Sequence, residues 1–388
     1  MKKYQLMAPG PTPVPSEVLL AMAEPIIHHR TPQYDAVFIE IRAGLKRLVQ
    51  TSAEVVPLAC SGTGAMEAAV VNTLSAGDKV VVVRAGKFGD RWLDLARAYG
   101  LEIVDLSAPF GHTVEAGRLA EALKAQPDVK AVLAQHSETS TGVLHDVKAY
   151  AAVTGQHDAI LIVDAVSSLG IADLPMDAWQ VDLVVSGSQK GLMLPPGVGF
   201  CALSEKAWQK TKTATLPKFY FSLADELKYV AKNEVRFTPA VSIMVGLREA
   251  LRMLEAEGLQ NVFKRHDRLA RATRAGVEAL GLELFAKATP SPAMTSNSAA
   301  YPMWPRRKSL PFISPCPPAI VMLWLFEYAA TTFSLSTPRG GKTAVSAGLG
   351  VALANNSSPS ASTPARVARA SRSWRLNTFC SPSACVRH

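Results

Sequence analysis

Cysteine, long apolar runs and, in the last quarter of the chain, acidic residues are all scarce in this sequence. Only five of the 388 residues are cysteines, and their spacing fits neither a disulfide framework nor a zinc site. No apolar run approaches the roughly 18 residues that a membrane helix needs. Near the N-terminus, four prolines precede any apolar segment of a signal peptide: Pro9, Pro11, Pro13 and Pro15. These absences favour a soluble protein of the reducing cytoplasm.

The shortage of acidic residues accounts for the net charge of +9. Residues 291–388 contain ten lysines and arginines but only one acidic residue, Glu327, whereas the remainder of the chain has 31 basic and 31 acidic residues. The same segment contains eleven prolines and sixteen serines. It resembles low-complexity sequence or disorder, or a coding-frame change that replaced the original C-terminus. We favour the frame change, because the segment is not repetitive. A basic tail that binds nucleic acid or another polyanion is the alternative, although the interleaved aromatics are sparse.

From residue 55 onwards, short apolar segments alternate with segments of helical periodicity. The predicted strands are 55–59, 79–83, 101–106, 129–134, 159–163 and 181–185, and the predicted helices lie near 65–75, 90–99, 115–125 and 146–154. This alternation predicts an α/β fold with a largely parallel sheet between helical layers. A hairpin-like pair is expected around 198–203. Two helices, at about 240–257 and 259–280, and a strand at 282–286 are expected to lead into a second domain.

Two glycine-containing turns follow predicted strands. Residues 61–67, Ser-Gly-Thr-Gly-Ala-Met-Glu, join a strand to a helix, and the free N–H groups of a helix N-terminus can bind an anion such as phosphate. A plain tight turn is the alternative, because neither a P-loop nor a dinucleotide fingerprint is present. In the second turn, at 86–91, glycines flank Phe88. This ring could face a planar ligand or could belong to the core.

Polar residues follow three further strands. His136 begins a hydroxyl-rich segment that includes Thr139, Asp164 stands at the end of a buried strand, and Lys190 follows the strand at 181–185. A buried aspartate requires a cap or a cationic partner, and a shielded lysine is more easily deprotonated and so more nucleophilic. Ligands of open α/β sheets bind beyond the carboxyl ends of the strands. These residues together suit a phosphorylated aromatic aldehyde with a basic ring nitrogen.

Four motifs carry a resemblance to a known family: Ser-Gly-Thr-Gly-Ala-Met-Glu, Glu-Thr-Ser-Thr-Gly, Val-Asp-Ala-Val-Ser-Ser-Leu-Gly and Ser-Gly-Ser-Gln-Lys-Gly. With the Pro-Gly-Pro-Thr-Pro-Val-Pro opening, residues 1–294 resemble the class V aminotransferases, and within them the alanine/serine–glyoxylate (serine–pyruvate) branch. The resemblance implies the fold type I of pyridoxal 5′-phosphate enzymes: a large α/β domain, a smaller C-terminal α+β domain and a homodimer. The domains we expect are an extended arm at 1–15, a large cofactor-binding domain at 16–258, the start of the small domain at 259–293 and the atypical segment 294–388.

The resemblance also implies roles for individual residues. Lys190 would form the Schiff base with pyridoxal phosphate and shuttle a proton, while Asp164 would pair with the pyridinium nitrogen so that the ring acts as an electron sink. Phe88 would stack on the ring, where many relatives have Trp. Thr139 would contact the side of the ring. The remaining contacts would be to phosphate: Ser61, Gly62, Thr63 and Gln189 within one subunit, and Thr238 towards the partner subunit. Glutamine at 189 favours aminotransferases over cysteine desulfurases, which have histidine there.

One departure from the family concerns the binding of the substrate carboxylate. The family clamps the substrate carboxylate with an arginine of the small domain, in an Arg-Ile-Gly type motif. No such motif follows Ala293, and Arg339 in Arg-Gly-Gly is not a convincing replacement. The expected activity is therefore transamination from alanine or serine to glyoxylate or a similar 2-oxo acid, impaired by the altered C-terminus. The alternatives are another class V activity, with a different amino donor or a lyase reaction, or a non-catalytic relic.

Overall fold

A central sheet and the helices on both of its faces form the fold of the protein. The computed structural model describes residue 6 and residues 8–281, 283–286 and 289–292. Its strands are β1 (Val55–Leu58), β2 (Lys79–Arg84), β3 (Glu102–Ser107), β4 (Ala131–Gln135), β5 (Ser137–Glu138), β6 (Val143–Leu144), β7 (Ile160–Asp164), β8 (Leu183–Gly187) and β9 (Gly199–Leu203). Its helices are α1 (Ser16–Met22), α2 (Pro32–Val49), α3 (Gly62–Thr73), α4 (Lys87–Ala98), α5 (Ala116–Ala125), α6 (Val147–Thr154), α7 (Met176–Trp179), α8 (Glu205–Thr211), α9 (Leu223–Val230), α10 (Val241–Glu257) and α11 (Leu259–Ala279).

The seven-stranded sheet has the order β1-β9-β8-β7-β4-β2-β3. The neighbours from β3 to β8 pair in parallel, whereas β9 is antiparallel to both β8 and β1. Because β1 and β8 both oppose β9, β1 runs in the same direction as the parallel strands. The predicted α/β fold with a mainly parallel sheet is confirmed. All six parallel strands therefore place their carboxyl ends at one edge of the sheet.

Alternation along the strands explains why both faces of the sheet carry helices. Val81 and Val83 of β2 belong to one apolar cluster, which also contains side chains of α2 and α10. Val80 and Val82 belong to a second cluster, which contains side chains of α3 and α4. Successive side chains of a strand point to opposite faces, so an uninterrupted valine run requires cover on both sides. None of the described helices is both long and apolar enough to span a bilayer.

Two of the secondary-structure predictions need correction. Residues 199–203 form the single strand β9 rather than a pair; β9 is antiparallel to the preceding strand β8 and to β1. Residues 283–286 form no strand. Instead, backbone bonds join the segment after them to the β5–β6 hairpin, from Leu144 N–H to Thr289 C=O (2.8 Å) and from Ser291 N–H to Gly142 C=O (2.7 Å). The sequence analysis also missed this hairpin and the short helices α7, α8 and α9.

Candidate functional site

The carboxyl edge of the sheet brings together most of the residues singled out in the sequence. Asp164 is the last residue of β7, and Lys190 lies three residues beyond the end of β8, which is the neighbour of β7. The N-termini of α3 and α4 follow β1 and β2 at the same edge. Thr139 lies in the loop between β5 and β6, the hairpin that follows β4. Parallel connections of this kind are what place ligand sites at the carboxyl edge.

Lys190 is nearly buried beneath the N-terminal arm. Its side chain is only 8% exposed. The arm is held over it by bonds from Thr12 N–H to Gln189 C=O (3.2 Å) and from Thr12 Oγ1 to Lys190 C=O (3.3 Å). A Cβ atom at Gly10 would lie 2.4 Å from Lys190 Cδ, so a larger residue would require the lysine side chain to move. Burial lowers the pKa of Lys190, and the nearby Arg91 adds to this, while Asp164 and Glu138 oppose it. A lowered pKa favours the neutral, nucleophilic amine.

Asp164 is a buried carboxylate close to two cations. Its side chain is 5% exposed, and Oδ1 accepts the Val166 N–H at 2.8 Å. Its pKa is raised to about 6, mainly by burial and also by the charge of Glu138, although the Val166 hydrogen bond and the charges of Arg91 and Lys190 oppose the rise. Such a group is ionised near neutral pH but gains markedly from a further cationic partner. Asp164 can therefore stabilise a protonated ring nitrogen.

The N-terminus of α3 forms a cradle of small groups. Ser61 is its N-cap residue and Gly62 its first residue. A Cβ atom at Gly187 would lie 3.2 Å from Gly62 N and 2.9 Å from Gln189 Oε1, so Gln189 lies beside this helix end. Gln189 Oε1 is buried without a hydrogen-bond partner among the described residues. Because its amide can present either end by rotation, Gln189 can donate to an anion held at the free N–H groups of the helix.

Phe88 and Arg91 lie one turn apart on α4. The Phe88 ring is half-buried, and Arg91 Cζ lies 4.7 Å from its centroid, which is a cation–π distance. Arg91 Nη1 also donates to Thr63 Oγ1 at 3.0 Å. Arg91 thus connects the aromatic face to the turn after β1. Arg91 was not predicted as a site residue; its spacing of three residues from Phe88 on a helix was the available signal.

Thr139 and Thr238 occupy different surroundings. Thr139 is buried, and its hydroxyl is hydrogen-bonded to that of Ser167, three residues after Asp164. Thr238 is exposed in the loop between α9 and α10. No hydrogen bond joins Thr238 to a sheet-edge residue in the part of the chain that the structure describes. Eight of the nine predicted site residues therefore gather at the sheet edge, and Thr238 does not.

Glu138 is the main residue that the sequence analysis missed. It is completely buried, and its carboxylate accepts the N–H groups of Phe88 (3.1 Å) and Gly89 (3.0 Å) at the N-terminus of α4. It also accepts both the N–H and the hydroxyl of Ser140. The sequence offered only an acidic residue within a hydroxyl-rich segment, because its partners are about 50 residues away.

Two buried, neutral histidines are connected to Asp164 through backbone hydrogen bonds. His136 N–H donates to Asp164 C=O at 2.9 Å, and His145 N–H donates to His136 C=O at 2.8 Å. Burial lowers the pKa of His136 to about 3, assisted by His145, and that of His145 to about 4. His136 Nδ1 and both ring nitrogens of His145 are buried without a partner among the described residues. In the same part of the chain, no group of three or more His, Cys, Asp or Glu side chains could hold a metal ion.

Comparison with known proteins gives consistent matches over this part of the chain. The family model described as "Aminotransferase class-V" matches residues 5–300. The "Soluble hydrogenase, small subunit" of Synechococcus sp. (strain PCC 6716) is 49% identical over 298 residues, which cover 76% of this chain and 78% of that protein. The "L-aspartate--glyoxylate aminotransferase" of Paracoccus denitrificans (strain Pd 1222) is 42% identical over 286 residues, which cover 72% of each chain.

Solved structures agree with the sequence matches. The alanine–glyoxylate aminotransferase of Nostoc sp. superimposes with a TM-score of 0.72 at 30% identity, covering 75% of this chain and 79% of its own. The similarity therefore includes the sheet and its carboxyl edge, where the candidate site lies.

Proposed function

The chain belongs to the class V aminotransferase family, and from this premise we propose that it binds pyridoxal 5′-phosphate and transfers an amino group from alanine or serine to glyoxylate or a similar 2-oxo acid. The observation that carries the proposal is the juxtaposition of Asp164 and Lys190. These residues follow neighbouring parallel strands, and both are nearly buried at the carboxyl edge of the sheet. A nucleophilic amine beside a buried carboxylate is what this cofactor requires.

The residues present fit the cofactor. The unpartnered Gln189 amide oxygen and the approach of Gly187 to Gly62 N leave a cradle that a side chain at Gly187 would fill. The N-terminus of α3 supplies N–H groups for a phosphate, and Phe88 offers an aromatic face. When bound, pyridoxal phosphate supplies an electrophilic carbonyl carbon and an electron-accepting ring.

The roles we propose follow from position and charge. Lys190 Nζ would attach the cofactor and move a proton at the substrate carbon, since its lowered pKa favours the neutral amine. Asp164 would hold the ring nitrogen protonated, and Phe88 and Thr139 would hold the ring. Phosphate would be bound by Ser61, Gly62, Thr63 and Gln189. The N-terminal arm, which lies over Lys190, would exclude water from one side of the site.

The acceptor and donor are proposed from the names of the relatives and from the family branch that the motifs resemble. The Paracoccus and Nostoc proteins are both named for glyoxylate as acceptor, but one is named for aspartate and the other for alanine as donor. We therefore propose glyoxylate as acceptor, with alanine or serine as donor. Another class V reaction, with a different donor or a lyase outcome, is the alternative.

We also propose that transamination by this chain is impaired. The family match ends at residue 300, close to the point at which acidic residues become scarce, and no arginine in an Arg-Ile-Gly motif follows. Loss of a bidentate arginine–carboxylate contact reduces turnover by about 10- to 100-fold, since hydrogen bonds to charged groups contribute about 1.5–3 kcal/mol.

The test uses the purified full chain with added pyridoxal phosphate. We expect an absorbance band near the visible edge, and turnover of alanine or serine with glyoxylate that is far below that of the Paracoccus relative in the same assay. Absence of the band would contradict the proposed cofactor and function. Turnover equal to that of the relative would contradict the impairment alone, and faster turnover of aspartate would change the donor.

We further propose a homodimer in which Thr238 approaches the phosphate of the partner subunit. Its neighbour Arg236 packs against the rings of Phe219 and Phe237, and Phe219 is 72% exposed. An exposed apolar patch of this kind suits an interface with a second copy. Sedimentation equilibrium should give a dimer mass, and a monomer at micromolar concentration would contradict the proposal. The cytoplasmic location stays a prediction.

A further inference from the structure

The tripeptide Glu138-Thr139-Ser140 contacts two separate elements of the candidate site. The side chains of Glu138 and Ser140 reach the N-terminus of α4, whereas the Thr139 hydroxyl is bonded to Ser167 in the turn after β7. Glu138 ends β5, and Thr139 and Ser140 lie in the turn that follows, so the side chains of three consecutive residues reach two different elements. This tripeptide is called the strut below.

The strut satisfies all three free N–H groups at the start of α4. The first N–H with a partner inside the helix is that of Asp90, which donates to Gly86 C=O at 3.0 Å. Lys87 N–H donates to Ser140 Oγ at 2.9 Å, and the N–H groups of Phe88 and Gly89 donate to the Glu138 carboxylate. Charged acceptors at a helix N-terminus also interact favourably with the helix dipole. The cap of α4 is therefore supplied from about 50 residues away.

Gly86 makes this arrangement sterically feasible. A Cβ atom at Gly86 would lie 2.5 Å from Glu138 Cδ and 2.4 Å from Ser140 Oγ, so any other residue would displace the carboxylate. Glu138 Oε1 also accepts from Ser140 Oγ at 2.7 Å. The carboxylate is held in one position by groups on both of its sides.

We propose that Glu138 is a positioning residue for the cofactor, which fixes the start of α4 so that Phe88 and Arg91 stand at a set distance from Asp164 and Lys190. The inference rests on the proposed function, because the ring that Phe88 faces would be that of pyridoxal phosphate. Its physical basis is the chain of contacts from Asp164, through the turn at Ser167 and the strut, to α4. Without the carboxylate, the first turn of α4 loses two of its three caps and the Phe88 ring is no longer held.

The first measurement concerns the protein without cofactor. Amide hydrogen exchange at Lys87, Phe88 and Gly89 is compared between the wild type, Glu138→Gln and the control Asp182→Asn. Asp182 is a buried carboxylate that accepts the Leu161 N–H at 2.9 Å at the opposite edge of the sheet. We expect exchange at Phe88 and Gly89 to rise by about tenfold or more in Glu138→Gln only, the effect of losing a charged hydrogen-bond acceptor. Unchanged exchange at Phe88 and Gly89 in Glu138→Gln would overturn the proposal that the Glu138 carboxylate fixes the start of α4.

The second measurement is the dissociation constant of pyridoxal phosphate, followed by its absorbance. We expect it to rise by about tenfold in Glu138→Gln, from the weakened hold on Phe88 and Arg91. In Asp182→Asn it should stay near the wild-type value even where the melting temperature falls equally. Equal affinities in the two variants would overturn the positioning role and leave Glu138 as a structural cap.

Two further variants keep the test decisive if Glu138→Gln does not fold. Ser140→Ala removes the acceptor of the Lys87 N–H and one donor to the Glu138 carboxylate, so exchange should rise most at Lys87 and less at Phe88 and Gly89. Gly86→Ala retains every charge but displaces the carboxylate, and should reproduce the exchange pattern of Glu138→Gln. If neither variant alters exchange at 87–89, the inference is wrong. If the wild type binds no pyridoxal phosphate, the proposed function is wrong. The exchange result then still decides whether Glu138 holds the start of α4.

Discussion

Gly62 and Val166 lie so close together that a Cβ atom at Gly62 would stand 2.6 Å from Val166 Cγ2. This contact joins the turn after β1, where phosphate would bind, to the turn after β7, where Asp164 accepts the Val166 N–H. Valine is stiff about χ1, so it cannot rotate away without cost. The missing Cβ atom at Gly62 therefore allows the turn after β1 and the turn after β7 to approach each other this closely.

The first prediction follows from this contact. Gly62→Ala should destabilise the protein by about 1–3 kcal/mol through overpacking and weaken pyridoxal phosphate binding. Val166→Ala should restore part of both losses in the double variant, because the two sites are coupled. Urea unfolding and cofactor titration measure the two effects. Gly117→Ala, at a helical position with no atom within 4 Å of the added Cβ, is the control. Strictly additive effects at 62 and 166 would contradict the steric account.

The second prediction concerns Lys190. Lys190→Ala should abolish the absorbance band of the bound cofactor and lower transamination by about 10²- to 10⁴-fold or more, the usual contribution of a positioned proton-transfer group. The far-ultraviolet circular dichroism spectrum should be unchanged. Lys87→Ala is the matched control, since this lysine lies beside the site but its side chain is 74% exposed. A band that survives in Lys190→Ala would show that another amine attaches the cofactor.

The third prediction is that Asp164 lowers the stability of the cofactor-free protein above pH 4. Its pKa is about 6 in the folded chain against 3.8 ordinarily, so rising pH ionises the unfolded state first and stability falls between about pH 4 and 6. Asp164→Asn should then be more stable by about 3 kcal/mol at pH 8, with little gain below pH 4. Transamination should be lost.

Asp177→Asn provides a control of opposite sign for Asp164→Asn. Burial alone would raise the pKa of Asp177, but hydrogen bonds from Thr51 and Ser52 outweigh burial and lower it. Its carboxylate therefore stabilises the fold above its ordinary pKa of 3.8, and this contribution is lost only as pH falls below that value, so Asp177→Asn should be less stable than the wild type at both pH 8 and pH 4. Urea midpoints at the two pH values measure both variants. The same pH trend in both would refute the assignment for Asp164.

The fourth prediction concerns acid stability. Because burial holds the pKa of His136 near 3 and that of His145 near 4, the unfolded chain binds more protons below pH 6.5. Stability should therefore fall as pH drops from about 6.5 towards 4, by up to about 1.4 kcal/mol per pH unit for each histidine. His136→Gln should reduce the pH dependence of the free energy of unfolding by the contribution of one histidine. His112→Gln, at an exposed position, controls for the loss of a histidine as such, and an unchanged slope in His136→Gln would contradict the prediction.

Local patterns were sufficient for much of the fold. The valine run of β2 and the alternation of strands with helices predicted six strands that the structure contains, each displaced by at most two residues. The placement of β9 between β1 and β8 was not predictable in this way. Strand order depends on which surfaces meet through space, and a five-residue apolar segment is compatible with several neighbours.

The same difference between local patterns and contacts through space applies to the candidate site. Asp164 and Lys190 were recognisable because each follows its own strand, and parallel strands share a carboxyl edge. Glu138 was not recognisable, since its partners on α4 are about 50 residues away. The approach of Gly10 to Lys190 spans 180 residues and depends on a missing Cβ atom, which no local pattern reveals.

The sequence by itself determined the family motifs, the parallel α/β layering and the charge imbalance of the last quarter, because these follow from residue type and short-range periodicity. Only the tertiary structure decided which N–H groups the Glu138 carboxylate caps, which glycines permit close approach and how deeply Lys190 and Asp164 are buried. Hydrogen bonds, steric exclusion and desolvation act over a few ångströms in space. They are therefore fixed only once distant segments of the chain have packed together.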